Sequence, residues 1–152
     1  MKKIVAATLI AGLFSSAGAF AAGGGGAVTP TAVALANGYV QMRAASSEKI
    51  NLAEQFALTA LGNRAGFVKN NFEATLSANV AAGVTDDAAN NRFGTVAGSN
   101  KGYTVFTGSS VGGSVSQCGQ QVKKGDDANL AASLVVAGTL VLANANGCGR
   151  QP

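Results

Sequence analysis

Apolar and polar residues alternate at every position over residues 72–80. Phe72, Ala74, Leu76, Ala78 and Val80 share one side of an extended chain, and Glu73, Thr75, Ser77 and Asn79 the other, which is the period of a half-buried strand. Upstream the pattern changes. Residues 31–61 are rich in Ala, Leu, Gln and Glu, and Thr29-Pro30 just before them is a helix-start signal. A threonine hydroxyl caps free backbone amides, and proline at the first helical position gives up an N–H that would lack a partner anyway. Ile50, Ala53, Ala57 and Leu61 recur at helical spacing with Phe56 and Ala60 beside them, predicting an amphipathic face. Gly62-Asn63 then offers a left-handed stop. Taken whole, the segment is a helix of about 45 Å at ~1.5 Å per residue. Alternatively, Ser46-Ser47 and the Asn51-x-x-Glu54 capping box start a shorter helix, leaving 31–43 as a strand or a first helix.

Downstream, residues 86–91 look like a loop or short helical turn. Residues 103–107 are β-branched and aromatic and predict a second strand, and the Gly- and Ser-rich stretch 108–113 turns the chain. Residues 114–122 form a third predicted strand carrying Cys118. Over 128–143 the expectation is a short helical turn capped by Asp126 or Asp127, then a buried strand near 139–142. The fold class that follows is α+β: a long N-terminal helix packed on a small antiparallel sheet, with a C-terminal disulfide-bounded region.

The first residues have the three parts of a secretory signal. Lys2 and Lys3 precede an apolar run over 4–14 and a small-residue zone ending Ala19-Phe20-Ala21, which places cleavage between Ala21 and Ala22. A retained membrane anchor is the alternative, because the uncharged stretch 4–22 approaches the ~20 residues a spanning helix needs. Residues 22–28, with four consecutive glycines, read as a tether, and residues 29–152 as one folded head. Loss of residues 1–21 lowers the net charge from +4 to +2. The remaining basic residues are scattered, which is not the clustered footprint of a nucleic-acid surface.

The chain has no histidine, so it lacks the commonest general base and the usual transition-metal ligand. Neither an enzymatic activity nor a cofactor or metal is expected. The pairs Asp86-Asp87 and Asp126-Asp127 offer hard oxygen ligands, but neither continues into a twelve-residue calcium loop, and turn or cap roles suit them better. The stretch 108–113 lacks the following Lys-Ser/Thr of a phosphate-binding loop. Cys118 and Cys148 are the only cysteines. Behind an export signal, two thiols are read as a disulfide rather than as a metal site or, for Gly147-Cys148-Gly149, a free carrier thiol.

The run Gly113-Ser-Val-Ser-Gln-Cys-Gly-Gln-Gln-Val122, the following Lys-Lys-Gly-Asp-Asp127, and a second cysteine beside Gly149-Arg150 resemble the C-terminal disulfide region of type IV pilins of Gram-negative bacteria. Ala32-Val-Ala-Leu35, Tyr39, Arg43-Ala44, Ser47-Glu48 and Leu52-Ala-Glu54 resemble the stretch where that family's helix runs onto its head. The resemblance implies an exported filament subunit that associates with itself or with other pilin subunits and displays its clasped region for adhesion to a host or surface receptor. Membrane contact is expected only through the N-terminal segment, if it is retained. The leader departs from the family: Ala11 stands where the pilin glutamate would be, and no leader glycine precedes the apolar run. The other expectation is a soluble periplasmic or secreted disulfide-stabilised binding module.

Overall fold

The computed structural model describes residues 29–123 and 130–150 and holds eight strands in two sheets. They are β1 (Thr31–Ala34), β2 (Val40–Arg43), β3 (Glu54–Thr59), β4 (Phe72–Leu76), β5 (Val80–Asp87), β6 (Arg92–Ser99), β7 (Val105–Ser109) and β8 (Val115–Gln117). The smaller sheet runs β1-β3-β4 and the larger β2-β5-β6-β7-β8. Only β1 and β3 pair in parallel; every other neighbour is antiparallel.

The expected α+β class is therefore corrected to all-β, and with it the pilin resemblance. Among the described residues the longest helical stretch is the five-residue 3-10 turn Leu130–Leu134, whereas a type IV pilin needs a long N-terminal helix. Neither a single helix nor two occupies 31–61, because burial there recurs every second residue. Val33 and Leu35 are buried on one strand, Phe56 and Leu58 on another, and Val33 lies opposite Leu58 in the ladder. Packing on a neighbouring sheet outweighs the weak helix preference of Ala, Gln and Glu. The capping box does not form: Glu54 instead accepts a hydrogen bond from the Thr31 hydroxyl at 2.6 Å, across the β1–β3 pair. Gly62-Asn63 does turn left-handed, with Asn63 at φ 55°, but it follows a strand.

Other boundaries shift for local reasons. The alternation over 72–80 belongs to β4 only as far as Leu76; Asn79, at φ 63°, then turns the chain into β5. Asp86 and Asp87 end β5 rather than lying in a loop, and the hairpin turn to β6 occupies 88–91. The predicted second and third strands correspond to β7 and the shorter β8, and Gly108 and Ser109 lie inside β7. A 3-10 turn (Ala137–Thr139) and an isolated bridge between Leu140 and Cys148 replace the buried strand expected near 139–142. The signal and its cleavage residues Ala19, Ala21 and Ala22, the tether 22–28, and the caps Asp126 and Asp127 all lie outside the described residues.

Two cores sandwich the larger sheet. On one side, Ala81, Val96 and Val105 pack with Ala131, Ala132, Val135, Leu140 and Cys118, so the C-terminal tail forms the cover. Glycine makes that approach possible: a Cβ at Gly98 would lie 2.6 Å from the Ala131 carbonyl oxygen, and one at Gly83 2.1 Å from the Tyr39 hydroxyl. On the other side, Val84, Val40, Met42 and Phe93 meet Val33, Leu35, Phe56 and Leu58 of the smaller sheet. The smaller sheet reaches the larger one through β1 on β2 and β4 on β5.

Tyr39 is wedged under the tail, and its hydroxyl lies 3.2 Å from the Val135 carbonyl and 2.9 Å from Gln41 Oε1. Burial pushes its phenol from the ordinary value of 10.0 up to about 12, against the opposing pull of the Gln41 bond. The fold thus favours the neutral phenol. Its contribution is complete below pH 10 and is lost as the pH rises from there through about 12. In denaturant melts across this window the wild type should lose stability, and Tyr39→Phe should remove that part of the decline while lowering stability at neutral pH.

Candidate functional site

The tail is sewn down along its length. Cys118 and Cys148, thirty positions apart, are joined in a disulfide with their Cα atoms 5.2 Å apart, as their sequence context predicts. Arg150 Nη1 donates to the Cys118 carbonyl at 2.9 Å, Ser109 Oγ to the Leu142 carbonyl at 3.0 Å, and Gly149 N to the Thr139 carbonyl at 3.0 Å. Cys148 is thus bonded and not a free carrier thiol.

The opposite face of the same sheet is covered over only half its width. Side chains alternate along a strand, so the ladder registers assign each residue to a face. Ala97 lies opposite Phe106, Phe106 opposite Gln117, Thr95 opposite Gly108, and Gly108 opposite Val115; all these point away from the tail. The smaller sheet covers β2 and β5 and reaches only Phe93 of β6. Beyond it, Phe106 is 48% and Val115 71% exposed. They are diagonal neighbours on one face, within reach of a single bound side chain.

Two shallow clefts lie along this open face. One, of about 380 Å³, is lined by Phe67, Phe93, Thr95, Gly108 and Val115. The other, of about 370 Å³, is lined by Ala97, Ser99, Tyr103, Thr104 and Phe106. Phe67 reaches the first cleft because Asp86 holds its loop. The fully buried Asp86 carboxylate accepts hydrogen bonds from Phe67 N at 2.7 Å and Val68 N at 3.3 Å, and a Cβ on Gly66 would lie 2.2 Å from it. Lys69 Nζ closes the loop on the carbonyls of Arg64 and Gly66.

Basic residues flank this face. Arg64 and Lys69 sit on the Phe67 loop, Lys101 in the turn before Tyr103, and Lys123 after β8; all four are exposed. Among the described residues, β6, β7, β8 and the turns joining them carry no carboxylate.

Asp86 and Asp87 point to opposite sides of β5, which removes the calcium pair. Asp87 caps the hairpin instead, accepting from Ala89 N, Asn90 N and Asn90 Nδ2. The Asn90 side-chain bond is the main reason its carboxyl lies below the usual value. Among the described residues, no group of three or more His, Cys, Asp or Glu is placed to share a metal ion, and no helix is long and apolar enough to cross a membrane. Sequence reasoning found the disulfide but not the open face, whose residues Phe106 and Val115 look as apolar as the buried Val105. The chain matches no protein-family model, and neither a curated protein nor a solved structure is significantly similar to it.

Proposed function

We propose that this protein is an exported, disulfide-clasped binding module that engages a protein partner through the open face of β6, β7 and β8. The observation that carries this is the half-covered sheet, with Phe106, Val115, Tyr103 and Phe67 exposed along one surface. Isolated apolar side chains on a surface are ordinary, but a contiguous strip rimmed by charge marks an interaction site. On the other face the clasped tail covers Ala81, Val96 and Val105. A disulfide and the signal-like start favour work outside the cytoplasm, where the bond persists. A clasped sheet also suits binding for a mechanical reason: ladders and covalent closure hold the aromatic side chains in place before the partner arrives, which lowers the ordering cost of association.

Hydroxyl-radical footprinting tests this. The purified chain is compared with the same protein in the envelope or medium of cells that make it. Phe106, Tyr103 and Phe67 should be oxidised less in the native setting, while Leu52 and Val136, exposed elsewhere, are oxidised equally in both. Equal oxidation of all five in both settings would count against the proposal.

A further inference from the structure

Among the described residues no strand pairs with the outer side of β8, the edge of the larger sheet, and the inference drawn from this edge rests on the open face being the binding surface. Cys118 N donates to the Val105 carbonyl at 2.8 Å, and Ser116 lies opposite Thr107. In an antiparallel pair the residues bonded to the neighbour alternate with residues whose N–H and C=O point the other way. Ser116 and Cys118 therefore face β7, and the amides and carbonyls of Val115 and Gln117 point outward from the sheet. Both residues are exposed. Natural edges are blunted by lysine, proline, bulges or a covering segment. β8 is short, but it has no charge and no proline over 114–118.

We infer that an extended segment of a partner protein adds to β8 as an antiparallel strand, with apolar residues at alternate positions and acidic residues at its N-terminal end, beside Gln117. An added strand would satisfy the two outward N–H groups and two outward carbonyls of Val115 and Gln117. Its side chains on the open face would then continue the row formed by Val115 and Phe106, which supplies the selection for apolar residues at alternate positions. The acidic end follows from the rim: Lys123 lies just past β8 and Lys101 in the turn before β7, and the β7–β8 register puts both at the Gln117 end of the strand. A second copy of this chain fits less well. Pairing β8 with itself would join only two three-residue strands, far short of the roughly 1,200–2,000 Å² that stable interfaces bury.

The probe is a synthetic peptide with a five-residue alternating Val/Thr core preceded by two glutamates, added to the oxidised full chain. It should bind with a dissociation constant of about 1 mM or tighter, slow exchange of the Val115 and Gln117 amides about tenfold, and bind more weakly with lysines in place of the glutamates. Gln117→Pro removes one outward N–H without touching the β7 ladder and should weaken binding about tenfold. The wild-type exchange measurement stands even if that variant does not fold. Binding that survives Gln117→Pro but is lost in Phe106→Ser would overturn strand addition and leave the open-face proposal standing. No binding to the wild type at that concentration, or Val115 and Gln117 amides already protected by a dimer without peptide, would also overturn strand addition. The footprint described above tests the open face separately.

Discussion

Replacing Arg43 by methionine is expected to remove about 3–5 kcal/mol of folding stability, a large share of the ~5–15 kcal/mol that a domain of this kind has. Arg43 is 3% exposed and lies where β2 meets the turn into β5. Its Nε donates to the Val80 carbonyl at 2.8 Å, Nη1 to the Leu52 carbonyl at 2.8 Å, and Nη2 to the Ser77 carbonyl. A planar fork with several donors joins these three segments at once. Burial lowers the guanidinium from its ordinary value, and Glu54, 3.7 Å away, opposes that shift. Methionine keeps much of the volume but removes the guanidinium donors from all three carbonyls; the Ser77 carbonyl keeps the Val80 amide at 3.3 Å, and each carbonyl left without a donor costs about 1–3 kcal/mol if water does not reach it.

Two controls separate the bonds from the charge. Arg43→Lys retains the charge but not the fork, and its loss should be intermediate. Glu54→Gln should cost less than about 1 kcal/mol, because the carboxylate lies at ion-pair rather than hydrogen-bond distance and its side chain is partly exposed. Urea denaturation of the oxidised proteins reads all three. A loss for Arg43→Met no larger than that for Glu54→Gln would show that the carbonyl bonds contribute little.

The second large effect is expected from Cys118→Ala with Cys148→Ala. Opening a loop of this length should lower stability by about 3–4 kcal/mol in the chain-entropy estimate. The loss should be local in its consequences. Ala131, Ala132, Val135 and Leu140 cover Ala81, Val96 and Val105, so release of the tail uncovers the core of the larger sheet on that side. The smaller sheet and its contacts with β2 and β5 share none of those residues. Proteolysis should cut the double variant within 130–150 well before it cuts β3 or β5, and an apolar dye should bind it more than it binds the wild type. Unchanged protease resistance of the tail would mean that its packing, rather than the covalent bond, keeps it in place.

The strands that could be read from the sequence are those whose burial follows their own alternation. β4 announces itself, and β7 and β8 lie within a few residues of the positions that their β-branched and aromatic residues suggest. β6 gave no signal, because Gly94 and Gly98 are strand breakers by composition. In the fold they lie where Leu142 and Ala131 press on the sheet and leave no room for a side chain. The helix expected over 31–61 failed for the opposite reason. Its composition favours a helix locally, but Val33, Leu35, Phe56 and Leu58 find their burial against another sheet, which no window of the sequence displays. The disulfide was legible because it needed only two cysteines and an export context. The open face was not, since which half of a sheet lacks a cover is decided by the width of its neighbour.

Residue-resolved amide exchange of the oxidised wild-type chain by NMR tests the central physical claim most directly: one sheet, closed by the clasped tail on one face and free along β8. The account predicts slow exchange at Ser116 and Cys118, whose amides face β7, and fast exchange at Val115 and Gln117, whose amides face outward. Along β5 and β6, at the centre of the sheet, the ladder amides should be the slowest. Continuous helical protection over residues 31–61, or Val115 and Gln117 as slow as Ser116 in the isolated chain, would contradict it.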